Sequence, residues 1–279
     1  MARETASLEA AETKVSGLNR RQAGIVEMAK AAGYVNIDTL TAALGVTPQT
    51  IRRDINRLCE SGILARYHGG ASLAPNTRNV DYEARKLSMR GEKESIGRLV
   101  ARHIPDGASL FINIGTTTEA VAHALVHHRG LKVITNNINI AILLRDCPDF
   151  EITVAGGRLR AHDLAVVGEA TIDFINQFKV DFGVIGISGI DPDGTLLDFD
   201  YREVRVAQAI VENARTVFLA TDRTKFGRRA MVKLGHISMV DGLFIDGEPS
   251  PPYAEMLRAS QVPVHCALPE DLGSDPDPD

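Results

Sequence analysis

Thr47-Pro48-Gln49-Thr50-Ile51-Arg52-Arg53-Asp54-Ile55-Asn56-Arg57-Leu58-Cys59-Glu60 is the stretch whose reading decides the fold. Thr47 suits an N-cap, because its hydroxyl can accept from a free backbone N–H of the first turn. Pro48 suits the first helical position, where a missing donor has no consequence. Ile51, Ile55, Leu58 and Cys59 recur at i, i+4, i+7 and i+8, which is one apolar helix face. With that face turned inward, Gln49, Arg53, Asn56 and Arg57 point outward, and Thr50 and Arg52 sit on the flanks. Amides and guanidinium groups of this kind match base edges and phosphates. The spacing predicts a short helix suited to a DNA groove.

The neighbouring sequence frames that helix. Ile25, Met28, Ala29 and Ala32 predict a first helix over residues 20–32, ended by Gly33. Asn36 caps a second helix carrying Ile37, Leu40, Ala43 and Leu44, and Gly45 closes it in a single turn. Helix, glycine turn, helix is the helix-turn-helix order, with the second of the pair as the reader. Downstream, residues 63–73 predict two short strands and a glycine turn, a wing. Arg66 and His68 near its tip either touch a phosphate or the minor groove, or belong to a hairpin that only packs on the helices. The expected DNA contacts are Thr47, Gln49, Thr50, Arg52, Arg53, Asn56, Arg57, Arg66 and His68.

Charge supports a local nucleic-acid interface and excludes a global one. The 279-residue chain carries −5 overall. Residues 18–73 hold seven lysines and arginines against four acids, so this head is +3 and the remainder −8. The three cysteines are scattered, with neither a disulfide framework nor a zinc pattern, as expected for a reducing cytoplasm. We find neither an N-terminal apolar run of a signal peptide nor a stretch approaching a membrane span. The length favours two domains. The expected divisions are a mobile N-terminal arm (1–17), a winged helix-turn-helix domain (18–73), a linker (74–91), an α/β domain (92–268) and an acidic disordered tail (269–279).

From Ile104 onward the rhythm changes to apolar strands alternating with helices, which implies a mainly parallel sheet covered by helices. Ligands of such sheets bind at the carboxyl ends of strands. There the chain offers Gly115-Thr116-Thr117-Thr118-Glu119, Thr135-Asn136-Asn137, Ala155-Gly156-Gly157-Arg158-Leu159-Arg160 and Asp222-Arg223-Thr224-Lys225. One such turn alone is an ordinary helix cap. Four strand ends with glycine, hydroxyl, amide and cationic groups favour a phosphorylated polyol. The expected effector contacts are Gly115, Thr116, Thr117, Thr118, Asn136, Asn137, Gly156, Gly157, Arg160, Asp200, Glu203 and Lys225. Arg160 and Lys225 either balance phosphate charge or are solvated surface cations. Asp198, Asp200 and Glu203, clustered before a helix, either bind hydroxyls, act as acid/base groups or favour the helix N-terminus. No cofactor or metal is expected. His123 and His127 at i, i+4 lack a local acidic partner, and Gly183–Gly189 precedes a turn where a dinucleotide loop needs a helix.

Thr47–Asp54 followed by Arg66-Tyr67-His68-Gly69-Gly70-Ala71 resembles the DNA-binding signature of the DeoR-type bacterial repressors. The resemblance continues through Gly115-Thr116-Thr117, Thr135-Asn136-Asn137, Ala155-Gly156-Gly157 and Lys225-Phe226-Gly227, and covers about residues 20–268. Phe199–Arg205 and Gly186–Asp191 look like the branch that answers to glycerol 3-phosphate. The resemblance implies a sensor domain similar in fold to ribose-5-phosphate isomerase. It also implies a homo-oligomer, dimer or tetramer, on operator DNA, released by glycerol 3-phosphate or another sugar phosphate. The family commonly carries a lysine in the helix after the acidic cluster. Ala207 and Gln208 stand here, so no effector contact transfers to them. The rival reading is a sugar-phosphate isomerase with an added head, with Asp200 and Glu203 as its carboxylates. The missing lysine weakens it.

Overall fold

The computed structural model describes residues 19–32, 34–61, 63–67, 70–73 and 82–267. The expected arm at 1–17, residues 74–81 of the expected linker, the tail at 269–279 and His68 lie outside the described residues. Two compact units divide at Ser88 and Met89.

In the first unit, α1 (Arg20–Ala32), α2 (Ile37–Leu44) and α3 (Pro48–Glu60) pack on a three-stranded antiparallel sheet. Its strands are β1 (Tyr34–Asn36), β2 (Leu64–Tyr67) and β3 (Gly70–Leu73), in the order β1-β3-β2. Tyr34 and Val35 add a third strand to the expected two-stranded wing, paired with Ser72 and Ala71. Local signals set the helix ends. Asn36 accepts from the Thr39 N–H, Gly45 takes the left-handed conformation at φ 62°, and Thr47 accepts from the Thr50 N–H. Ile25, Val26, Leu40, Ile51, Ile55, Leu58 and Leu64 form the core. A fourth helix, α4 (Tyr82–Leu87), completes this unit.

The second unit is a three-layer α/β domain. Seven strands, β4 (Ser109–Ile112), β5 (Lys132–Thr135), β6 (Glu151–Val154), β9 (Val180–Ile185), β12 (Ala214–Ala220), β14 (Gly242–Ile245) and β15 (Val264–Cys266), pair in parallel throughout. Their order is β15-β14-β12-β9-β4-β5-β6. Alternation along each strand sorts side chains to two cores. Leu110, Ile112, Val133, Val184 and Phe218 pack against α5 (Arg90–Ala101), α6 (Thr116–Ala124) and α7 (Ile138–Leu144). Phe111, Ile134, Ile185, Val217 and Leu219 pack against α8 (Glu169–Ile175), α9 (Tyr201–Asn213) and α10 (Pro251–Ala259).

Two pieces were absent from the sequence reading. A hairpin, β7 (Arg158–Arg160) and β8 (Ala165–Val167), interrupts the crossover after β6. A small antiparallel sheet of β10 (Gly189–Ile190), β11 (Thr195–Asp198) and β13 (Val232–His236) flanks the second core. Among the described residues, no helix is long and apolar enough to cross a membrane.

Candidate nucleic-acid interface and effector crevice

The face of α3 divides as its spacing requires. Ile51, Ile55 and Leu58 are buried, while Thr47, Gln49, Arg52, Arg53, Asn56 and Arg57 are exposed, as is Arg66 on β2. Thr50 is half-buried and its hydroxyl lies 3.0 Å from that of Thr47. Cys59, expected on the apolar face, is only partly buried. Asp54 takes the remaining inward position. It is buried and accepts from Arg21 Nε at 2.5 Å and from Gln22 Nε2 at 3.4 Å. Those bonds tie α3 to α1 and fix the roll of the exposed face. The local sequence does not reveal this role of Asp54, because its partners lie more than thirty residues away.

In the second unit the chain runs outward from β4 to β5 and β6, then returns to the other side of β4 with β9, β12, β14 and β15. The strand order therefore reverses between β4 and β9, and a crevice outside their carboxyl ends is the expected ligand site. Gly115, at φ 140°, opens α6 there without a side-chain cap, so the leading N–H groups of α6 are not met by an N-cap side chain. Thr116 and Thr117 stand in that first turn, and Thr117 is buried.

Three atoms mark the crevice. Asn113 follows β4, Asn136 follows β5 and Thr221 follows β12; the residues are 4%, 1% and 1% exposed. Asn113 Oδ1, Asn136 Oδ1 and Thr221 Oγ1 are buried with no hydrogen-bond partner. A buried polar atom without a partner costs about 1–3 kcal/mol, so three of them at strand ends of one sheet point to a hydrogen-bonding group supplied from outside the chain. Strand alternation puts all three on the sheet face that α9 covers.

The charged groups nearby are already balanced within the chain. Asp222, 1% exposed, lies 3.3 Å from Lys225 Nζ and also feels the charge of Lys93, which is 4% exposed on α5. Burial raises the Asp222 pKa, but Lys225, Thr224 and Lys93 outweigh it and hold the carboxyl below its ordinary range. Arg160 is ringed by carboxylates: Asp163 at 2.5 Å, Asp200 at 3.1 Å, and Glu203. Neither Arg160 nor Lys225 is the solvated cation of the bland reading. Lys93 was not anticipated, since one lysine in an amphipathic helix carries no signal of burial.

Other expected contacts hold the loops. Thr118 Oγ1 lies 2.7 Å from the Asn113 carbonyl and 2.8 Å from that of Gly115. Asn137 caps α7 by accepting from Asn139 N, and its Nδ2 donates to Glu119 at 2.9 Å. Asn136 Nδ2 donates to the Val166 carbonyl at 3.0 Å, which seats the β7–β8 hairpin beside the β5–α7 loop. Gly156 accepts from Thr171 Oγ1, and Gly157, at φ 151°, has no room for a Cβ, which would lie 2.1 Å from that hydroxyl. Asp200 caps α9 through Arg202 N. Ala207 is buried and Gln208 donates to the Leu234 carbonyl. Among the described residues, no three His, Cys, Asp or Glu side chains are grouped to hold a metal ion.

Glu203 gives this cluster a pH dependence. Burial, then the charge of Asp198, pushes its carboxyl up to about 7, with Arg160 opposing. Between the ordinary carboxylate range and pH 7, the folded chain keeps a proton that the unfolded chain has released. This group's contribution to stability therefore falls as pH rises through that window and is level above it. Glu203→Gln should remove that descent, so the variant should gain on the wild type from pH 5 to pH 7 in thermal melts. A constant difference across those pH values would refute the assignment.

Comparison with known proteins matches both units. Residues 21–77 match the DeoR-like helix-turn-helix domain, and residues 88–247 match the DeoR C terminal sensor domain. The chain belongs to the DeoR family. It is 53% identical over 230 residues to the glycerol-3-phosphate regulon repressor of Escherichia coli K12, covering 82% of this chain and 91% of that protein. It is 49% identical over 229 residues to the repressor of the same name from Haemophilus influenzae, covering 82% and 89%. Identity to the E. coli HTH-type transcriptional repressor CsqR is 38% over 252 residues, covering 90% and 96%. The DeoR-family chain described here is accordingly a DNA-binding transcriptional repressor and not an enzyme. Among solved structures, ribose 5-phosphate isomerase A of Methanocaldococcus jannaschii overlays at TM-score 0.38 with 11% identity, over 51% of this chain and 56% of that one.

Proposed function

We propose that this chain represses a glycerol-catabolic regulon in the cytoplasm and leaves operator DNA when glycerol 3-phosphate fills the crevice of its α/β unit. The observation that carries the effector reading is the set of unsatisfied acceptors on Asn113, Asn136 and Thr221. Each accepts from a hydroxyl, and a phosphorylated polyol brings hydroxyls and an anion together. The anion fits the opening of α6 at Gly115 and Thr116, with Lys93 and Lys225 as the nearby positive charge. The names of the relatives point to the same metabolite. A homo-oligomer, dimer or tetramer, presents two copies of α3 to operator half-sites about one helical turn, or a multiple of it, apart. The effector then works by favouring the conformation whose heads do not match those half-sites.

In the head, Gln49, Thr50 and Arg53 read bases, while Arg52, Arg57 and Arg66 grip phosphates. Arg53→Ala should weaken operator binding by about 1–3 kcal/mol and relax preference at one base pair. Equal loss on every duplex would remove the base-reading role. Titrating glycerol 3-phosphate against the full-length protein on its operator should lower DNA affinity, whereas inorganic phosphate at equal concentration should not. An operator affinity unmoved by glycerol 3-phosphate would remove the effector assignment.

A further inference from the structure

On β2 of the wing, Arg66 donates through Nη1 to Oδ1 of Asn56 on α3. Its charge also reaches Cys59, which places the guanidinium alongside the carboxyl-terminal half of that helix. Asn56 stands at i+7 from Gln49 and i+3 from Arg53, on the same exposed stripe. A free asparagine offers an acceptor and a donor, the pair that suits adenine N6 and N7. A guanidinium has donors only, so only the oxygen of Asn56 can face Arg66, and the amide cannot turn over without losing the bond. The charged donor occupies one lone pair of Oδ1 and weakens the other as an acceptor, so what the amide chiefly offers the groove is the Nδ2 donor.

We infer that Arg66 is a positioning residue that fixes the base Asn56 reads: a guanine, whose N7 and O6 are both acceptors, and not the adenine an unrestrained asparagine takes. This rests on the reading of α3 as the helix that enters the groove. Guanine gives two acceptors to the two protons of Nδ2, thymine gives one, and adenine and cytosine each present an opposing exocyclic donor. The wing thereby sets specificity at a base that it does not itself touch.

The test is selection from a randomised duplex library by the full-length protein. The compared proteins are wild type, Asn56→Ala, Arg66→Ala, Arg66→Lys and Asn56→Asp. Both side chains are exposed, and matching thermal melts certify each variant as folded. The position whose preference disappears in Asn56→Ala should carry guanine in the wild type. Arg66→Ala should admit adenine there, shifting the guanine-to-adenine ratio by roughly tenfold. Arg66→Lys keeps a donor and should keep guanine. Asn56→Asp turns a bare acceptor to the groove and should select cytosine. Adenine at that position in the wild type overturns the inference. So does an Arg66→Ala protein that keeps guanine and loses affinity evenly with a shallower salt dependence, because that describes a phosphate contact alone. Selection of no sequence by the folded wild type would bring down the reading of α3 itself, and this inference with it.

Discussion

Asp222→Ala is expected to lower folding stability by about 3–5 kcal/mol at pH 7. The carboxylate is buried at the end of β12 and interacts with both Lys225 and Lys93, and Lys93 is itself buried. Its removal takes away a buried charge that offsets the desolvation of both cations, which is why the loss exceeds that of a surface pair. Asp222→Asn keeps an acceptor for the Thr224 N–H but not the charge, and should fall between the variant and the wild type. The sign with pH follows from the depressed carboxyl. Its stabilisation is present above the ordinary carboxylate range and is lost as pH falls through the folded-state value, so the gap to Asp222→Ala should close in acid. Urea denaturation at pH 7 and pH 3 measures both. A loss below about 1 kcal/mol at pH 7 would mean that solvent already screens the two lysines.

Gly97→Val should cost about 3 kcal/mol or more and should also blunt the effector response. A Cβ at Gly97 would lie 2.4 Å from the Ala120 carbonyl oxygen, 2.7 Å from its carbon and 3.0 Å from Val121 N. All three are backbone atoms of α6, so no side chain can swing aside and α5 must retreat. The two ends that matter move with it: Lys93 sits one turn before Gly97, and α6 begins at the Gly115 turn. Gly91, on the same helix, has open space around its Cβ position. Gly91→Ala should therefore stabilise by up to about 1 kcal/mol through helix propensity alone. Thermal melts of the two variants separate close packing from propensity. A Gly97→Val protein that melts with the wild type would show that the helices tolerate a wider crossing.

How far the sequence could be read depended on the range of the interaction. The reading helix was legible because its evidence is local: Thr47, Pro48 and the interval of Ile51, Ile55 and Leu58 act within four or five residues of one another. The glycine turn at Gly45 and the alternation of apolar strands with helices were legible for the same reason, and with them the parallel sheet. The β7–β8 hairpin was not, because three-residue strands carry too little periodicity, and its docking uses backbone groups of Asn136 and Leu164 that sequence does not distinguish.

The sequence by itself determined which groups are available: an amide and guanidinium stripe on one helix, and glycine, hydroxyl, amide and cationic residues at the ends of parallel strands. Only the tertiary structure decided which of them remain open to a ligand. Arg160 and Lys225 read alike as phosphate partners, yet carboxylates meet both, one partner of Arg160 coming from as far away as Glu203. Thr118 bonds within its own loop and Asn137 reaches Glu119 on α6, while polar atoms of Asn113, Asn136 and Thr221 keep no partner. The reason is physical. Caps and helix faces depend on bonds between near neighbours, whereas the saturation of a buried charge or acceptor depends on whichever side chains the completed fold brings within about 3 Å.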